Sequence, residues 1–410
     1  MAVGIEAMNT YVGRTFIDVQ ELFVERKLNS ERFANLMMLE KSVNLPCEDP
    51  VSNAVNAAKP IIDKLTEKER NSIEMVITSS ESGLDFGKSL STYIHHYLGL
   101  SKNCRLFEVK QACYAGTAAL QMAINYVGNN VSPGAKVLVI SADVARAAAK
   151  LTYAEPSQGV ASVAMLISDK PDIFACDLGA NGIYGYEVMD TCRPLPEIET
   201  GDADLSLLVY MECLENAFMD YCRRKPGTDY QTSFDFLAFH TPYAGLVKAA
   251  HRKMLRVLKK MAPPEIELDF QKRVEPSLSY CKHVGNIYSG TLYLALAGVI
   301  ANAEYDTNKH IGLFSYGSGC SSEFYSGIIT PQSKQKLAEM KIKESLDTRH
   351  KLSIAAYDKI LDQNATWVFG VKDKVVDLTP FQDIYNEQFL NKKLLRLKAV
   401  NNYHREYEWS

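Results

Sequence analysis

Five stretches carry side chains able to do chemistry, and they lie far apart in the chain: Glu81, Cys113, His240, Asn286 and Gly317-Ser318-Gly319. Cys113 stands in Gln111-Ala112-Cys113-Tyr114-Ala115-Gly116-Thr117-Ala118-Ala119, ahead of a small and apolar run that reaches Val127. A cysteine where a strand gives way to a helix lies near unpaired backbone N–H groups and the positive end of the helix dipole. Both favour thiolate over thiol. Such a sulfur can hold an acyl group as a thioester. A carboxylate in a dry pocket has a raised pKa and can take a weakly acidic proton from carbon, which is the chemistry open to Glu81. His240 and Asn286 are donors suited to polarising a carbonyl, and the N–H groups of a glycine loop can form an oxyanion hole. The set fits acyl transfer followed by carbon–carbon bond formation. Plainer readings compete with it: a buried structural cysteine, a solvated loop carboxylate, and a Cys-His protease. The last lacks the Cys-Gly-Ser-Cys-Trp surroundings of the papain type, and leaves a carboxylate at a separate strand end without a role.

The elements that must position these groups follow from periodicity. Val3 to Met8, Ile73 to Thr78, Leu106 to Val109, Lys136 to Ile140, Val160 to Ile167, Asp235 to Phe239 and Ile311 to Phe314 read as strands. Between them, Val19 to Phe33, Asp49 to Lys64, Lys88 to Leu98, Ala118 to Val127, Ser289 to Ala303 and Gln332 to Lys343 read as helical, with Pro60 set to kink or stop the second. Glu81 then lies at the carboxyl end of a buried strand, where loops are free to vary and ligands gather. Strands alternating with helices predict an α/β architecture around a central sheet. The later part repeats the grammar of the earlier part, which suggests duplication into residues 1–170 and 171–410 without a linker between them.

Composition narrows the class. Hydrophobic residues at 47% and charged residues at 23% are ordinary for a soluble globular protein. A net charge of −4 makes no electrostatic case for nucleic acid. Met1 to Phe16 has no apolar core of signal-peptide length, and the most apolar stretch, Leu292 to Ala303, is too short to cross a bilayer. A cytoplasmic protein without a membrane segment is expected. Nine scattered cysteines without a CxxC pair argue for free thiols, and the dispersed histidines argue against a metal site.

The five stretches resemble the motifs of the 3-hydroxy-3-methylglutaryl-CoA synthase family of the thiolase superfamily. Gln111 to Ala119 is similar to its nucleophile motif. Thr78-Ser79-Ser80-Glu81-Ser82 with Asp85 to Ser89 is similar to its general-base segment, and Phe239-His240-Thr241-Pro242-Tyr243 through Lys248 to its histidine segment. Val284-Gly285-Asn286-Ile287-Tyr288 through Tyr293, and Leu313 through Gly319, resemble its two C-terminal signatures. The likeness runs from Val3 to Ser326. It implies a thiolase fold, with two pseudo-repeated αβα halves in a five-layered core, as a homodimer. The first half would carry base and nucleophile, the second the histidine, the asparagine and the glycine loop. It further implies that Cys113 takes an acetyl group and Glu81 removes a methyl proton. His240 and Asn286 would hold the acceptor ketone, and the N–H groups of Cys113 and Ser318 the acetyl oxygen. Ala147, Pro156, Ser157, Tyr288 and Gly317 would line the substrate pocket. No cofactor is implied, since the substrates ride on phosphopantetheine, of a carrier protein or of coenzyme A.

Two departures bear on the substrate. Family members that use coenzyme A commonly have tyrosine at Ala147 and lysine at Gly245, so both changes suit a bulkier acceptor. Lys248, Arg252, Arg256 and Lys260 repeat every four residues opposite the apolar Val247, Ala250, Met254, Leu258 and Met261. An acidic acyl carrier protein could dock on that stripe, although a solvated amphipathic helix would look the same. The Tyr403 to Trp409 tail also resembles the polyketide β-branching branch of the family. The expected partners are an acetyl-donor carrier protein and a β-ketoacyl acceptor carrier protein. The alternatives are the mevalonate-pathway enzyme, acting on acetyl-CoA and acetoacetyl-CoA, and a carrier-binding scaffold without catalysis.

Overall fold

Strands buried on both faces organise the molecule. The computed structural model describes residues 2–367 and 369–410. Strands β1 (Gly4–Tyr11), β2 (Ile73–Ser79), β3 (Arg105–Val109), β4 (Lys136–Asp143) and β5 (Ala161–Ser168) form one arm of a nine-stranded sheet. Strands β6 (Phe174–Gly185), β7 (Phe236–Phe239), β8 (Lys309–Gly317) and β9 (Ser321–Ile329) form the other, in the order β7-β8-β9-β6-β1-β5-β4-β2-β3. From the centre outward each arm runs antiparallel, antiparallel, then parallel: β1-β5-β4-β2 on one side and β6-β9-β8-β7 on the other. The arms join at the antiparallel pairs Gly4–Ala175 and Ile5–Phe174.

Alternate residues of each strand face different layers. In β4, Val137 and Val139 join the central core while Leu138 and Ile140 face an outer one. In β8, Ile311 and Leu313 face the same central core, and Phe314 and Tyr316 face the opposite outer one. Helices α1 (Pro50–Ile62) and α2 (Leu90–Leu98) cover the first arm, and α4 (Ala203–Arg224) and α5 (Ala244–Lys259) the second. Between the arms lie α3 (Ala115–Gly128) and α6 (Thr291–Asn302). The result is five layers, helix on sheet on helix on sheet on helix, as expected for a thiolase fold. A helix packed between two sheets must be small where it meets its neighbour. A Cβ on Gly116 of α3 would come within 2.5 Å of the Ser289 carbonyl oxygen.

Several elements differ from expectation. The material from Val19 to Phe33 is two helices, Val19–Glu25 and Ser30–Leu36, because Lys27 takes a positive φ and Asn29 caps a new start. Pro60 does not kink α1: it falls in the last turn, two residues before the helix ends at Ile62. The stretch from Gln332 to Lys343 is likewise two helices, Pro331–Ala338 and Ile342–Asp347, broken at left-handed Lys341. Helix α4, capped by Asp202, is not among the elements expected from the sequence, although Val209, Cys213, Leu214, Ala217 and Tyr221 have helical spacing. The tail forms a hairpin, Leu395–Asn401 with His404–Trp409, held on α1 by Asn56 to Leu395 at 2.8 and 3.0 Å and by the Tyr407 hydroxyl donating to Asp49 at 2.7 Å. Among the described residues no helix is long and apolar enough to cross a membrane.

Candidate active site

Strand β2 ends at Ser79 and delivers Glu81, and β7 ends at Phe239 and delivers His240, so the two groups leave equivalent strands of the two arms. The loop before α3 delivers Cys113, and the turn before α6 delivers Asn286. All four line one cavity of about 840 Å³, together with Ser157, Tyr288 and Ser318. The Cys113 thiol donates toward Glu81 Oε1 at 3.5 Å. Burial, reinforced by Asp143 and Glu199 and opposed by Arg193, pushes the Glu81 carboxyl up to about 7. A group balanced there can take and return a proton at neutral pH.

The same contact corrects the expectation of a thiolate. Burial first, then the Glu81 carboxylate, push the Cys113 thiol well above its ordinary range. Cys113 lies one residue ahead of the N-cap Tyr114, and burial with the neighbouring acids outweighs what the helix N-terminus offers. The resting sulfur is therefore a thiol, and Glu81, in its ionised form, is placed to accept the sulfur's proton. Ala112, just before the nucleophile, holds φ +43°, a left-handed conformation uncommon for alanine.

His240 is 2% exposed, and its main chain is pinned on both sides: its N–H donates to Phe314 at 2.8 Å, and the Tyr210 hydroxyl donates to its carbonyl at 2.7 Å. Burial lowers its pKa to about 3, so the ring is neutral. Its Nδ1 is buried and has no hydrogen-bond partner among the described residues. Asn286 is aimed by its surroundings. Its Oδ1 accepts from the Tyr288 N–H and the Thr291 hydroxyl, both at 2.9 Å, which turns the amide NH₂ outward. Its backbone exchanges hydrogen bonds with Ser157 and Gly159 at 2.7 and 2.9 Å, locking the turn to the Ser157 loop.

Three expected pocket residues do not line the cavity. Ala147 begins a short 3₁₀ turn, Ala147–Ala149, and packs against an outer cluster with Ile17 and Tyr357. Pro156 is buried and away from the cavity lining. Gly317 serves a close approach instead: a Cβ there would lie 2.5 Å from the Tyr114 nitrogen, so the end of β8 presses directly on the nucleophile loop. Nor does Gly245 leave an opening, because a Cβ there would meet the Asn35 carbonyl oxygen at 1.8 Å. On α5, Lys248 is paired with Glu267 at 2.8 Å, Lys260 lies beyond the helix end, and Leu258 is 38% exposed rather than packed. Arg252 and Arg256 are exposed.

Three residues missed in the sequence organise the site. Asp143, buried at the end of β4, accepts from the Glu81 N–H at 2.8 Å, the Ser82 N–H at 3.1 Å and the Ser80 hydroxyl at 3.0 Å. Its other oxygen accepts from the Ser289 hydroxyl at 2.6 Å, tying the base loop to the opposite arm. A lone carboxylate closing an otherwise apolar strand was the available signal. Asp190 is fully buried and accepts from the Tyr316 phenol and, at 2.9 Å, from the Gly319 N–H, which fixes the glycine loop. Arg193 reaches Glu81 from a hairpin, Thr191–Leu195 with Ile198–Gly201, and nothing in its sequence surroundings marks it. Among the described residues no cluster of His, Cys, Asp and Glu could hold a metal ion.

Comparison with known proteins gives consistent matches. The family described as hydroxymethylglutaryl-coenzyme A synthase N terminal matches residues 1–172, and hydroxymethylglutaryl-coenzyme A synthase C terminal matches residues 256–408. The polyketide biosynthesis 3-hydroxy-3-methylglutaryl-ACP synthase PksG of Bacillus subtilis (strain 168) is 50% identical over 418 residues, covering 100% of this chain and 99% of PksG. The hydroxymethylglutaryl-CoA synthase of Enterococcus faecalis is 34% identical over 364 residues, covering 87% of this chain and 91% of that protein. The curacin biosynthetic pathway HMG synthase, solved in complex with apo donor-ACP, superposes with a TM-score of 0.97 at 53% identity, each chain covered in full at 100%.

Proposed function

The chain belongs to the hydroxymethylglutaryl-coenzyme A synthase family, and from that premise we propose that it serves polyketide β-branching, condensing an acetyl group from one carrier protein with a β-ketoacyl group on another. The observation that carries the chemistry is the Cys113 thiol 3.5 Å from the Glu81 carboxylate, in a cavity that also holds His240 and Asn286. Support for carrier proteins comes from relatedness. Identity is 50% to PksG and 53% to the curacin synthase, against 34% to the coenzyme A enzyme of Enterococcus faecalis.

The geometry orders the steps. Glu81 accepts the Cys113 proton as the sulfur attacks the acetyl thioester, and the carrier's thiolate leaves with that proton. The tetrahedral oxygen faces the backbone N–H groups of Cys113 and Ser318. Glu81, again a carboxylate, then removes a methyl proton from acetyl-Cys113. The enolate carbon adds to the acceptor's β-ketone, whose oxygen becomes an alkoxide held by His240 and Asn286. This alkoxide takes up one proton as Glu81 gives up the one it removed from the methyl group, which yields the hydroxyl and restores the carboxylate. A neutral imidazole donates to that oxygen without placing a buried cation beside it. Water then cleaves the Cys113 thioester and frees the thiol, leaving a 3-hydroxy-3-carboxymethyl product on the acceptor.

We read residues 1–170 and 171–410 as the two halves that supply these groups, and the protein as a cytoplasmic homodimer. Donor carrier protein docks on the exposed Arg252 and Arg256 of α5, whose N-cap Tyr243 and first-turn Leu246 reach the cavity. The test is acetyl labelling of Cys113, followed by intact-protein mass, from acetyl-carrier protein and from acetyl-CoA in parallel. Labelling from the carrier with slow labelling from coenzyme A is expected. Comparable labelling from both, with fast turnover of acetoacetyl-CoA, would return the chain to the mevalonate-type activity.

A further inference from the structure

We propose that Arg193 is the counter-charge that keeps Glu81 ionised for proton abstraction, and that Glu199 restrains Arg193 so that the carboxylate is stabilised without being captured. The inference rests on Glu81 being the base of the reaction above. Arg193 Nη1 lies 3.8 Å from Glu81 Oε2 and donates to the Glu81 carbonyl at 3.1 Å, holding both ends of the residue. Nη2 donates to Glu199 at 2.5 Å, and Glu199 in turn accepts from the Gln158 amide at 2.7 Å. The guanidinium lies over the Tyr288 ring, 5.3 Å from its centroid, so it cannot swing away without leaving that face. The Arg193 side chain is 9% exposed, and its Nε has no partner among the described residues.

The other groups facing Glu81 do not supply a positive charge. Cys113 and Tyr288 are neutral, while Asp143 and Glu199 add negative charge. Glu108 lines the same cavity, as do Lys88 and Lys110, whose amino groups have no bond to Glu81. A buried carboxylate among carboxylates would hold its proton at neutral pH and could not act as a base. A full ion pair would commit the opposite error, lowering the pKa until the carboxylate no longer competes for a carbon-bound proton. The distance of 3.8 Å, with the closer bond given to Glu199, lies between these failures.

The two neighbours must therefore act in opposite directions. The experiment is the pH dependence of kcat/KM for condensation of acetyl- and acetoacetyl-carrier protein by wild type, R193Q, R193K and E199Q. In R193Q the acidic limb should rise by about one pH unit or more, the usual effect of an adjacent opposite charge on a carboxyl. In R193K it should stay closer to wild type, and in E199Q it should fall. A limb that stays in place in R193Q overturns the proposal even where kcat drops, as does a limb that moves as far in R193K or fails to fall in E199Q. Failure of the parent reading is distinct: wild type itself would then show no carrier-dependent acetylation of Cys113.

Discussion

Glu81 costs the folded protein something in return for its reactivity. Its side chain is 17% exposed, and burial holds its carboxyl at about 7 against an ordinary 4.5. A carboxyl raised on folding favours the folded state below its unfolded pKa, and that contribution is lost as pH rises through the folded value. Between pH 4.5 and 7 the folded protein therefore binds more protons at this site than the unfolded chain, and stability falls with rising pH. Glu81→Gln removes the titration while keeping the shape. Relative to wild type, the variant should gain up to about 3 kcal/mol of stability on going from pH 5 to pH 8. Urea unfolding at the two pH values measures this, and a pH-independent difference would refute the buried, balanced carboxylate. Glu48 also titrates near 7, but it is present in both proteins and cancels in the comparison. His240, held near 3 by burial against an ordinary 6.5, contributes in the opposite direction as the unfolded imidazole loses its proton, and it too is present in both proteins and cancels.

Helix α5 is the element on which we propose that the donor carrier protein docks. Its buried face, with Val247, Ala250, Met254 and Leu255, packs on the second arm of the sheet. Its outer face keeps Arg252 and Arg256 exposed, while Lys248, Lys253 and Lys259 are engaged with Glu267, Glu215 and Asp229. The stripe read from the four-residue spacing is thus narrower in the fold, because a neighbouring helix, Pro263–Arg273, brings an acid to Lys248. Two exposed arginines act mainly on association and on its salt dependence. The R252E/R256E protein should bind donor carrier protein about tenfold more weakly at low salt. The difference should shrink as ionic strength passes about 0.15 M, where the Debye length is near 8 Å. Fluorescence titration against salt measures it, and unchanged affinity would assign docking to another surface.

At the scale of the whole molecule, the site is a meeting of two arms that the chain does not bring together locally. The reactive residues were legible because each follows an apolar strand or opens a small-residue helix: Glu81 after β2, His240 after β7, Cys113 before α3 and Asn286 before α6. Their supports were not, since each acts over long chain distances. Asp143 reaches Glu81 across 62 positions and Ser289 across 146, and Arg193 reaches Glu81 across 112. Nothing in a local window reports such contacts. The family resemblance puts Ala147 and Gly317 in the pocket, but the direction of a 3₁₀ turn and the pressure of one backbone on another are set by packing. The central claim is that a carboxylate from one loop takes a carbon-bound proton from an acetyl group on the sulfur of another. Load Cys113 with trideuteroacetyl from its carrier protein, and follow loss of deuterium to water by mass in wild type and Glu81→Gln. The account predicts washout in wild type and retention of label in the acetylated variant; washout from the variant at the wild-type rate would contradict it.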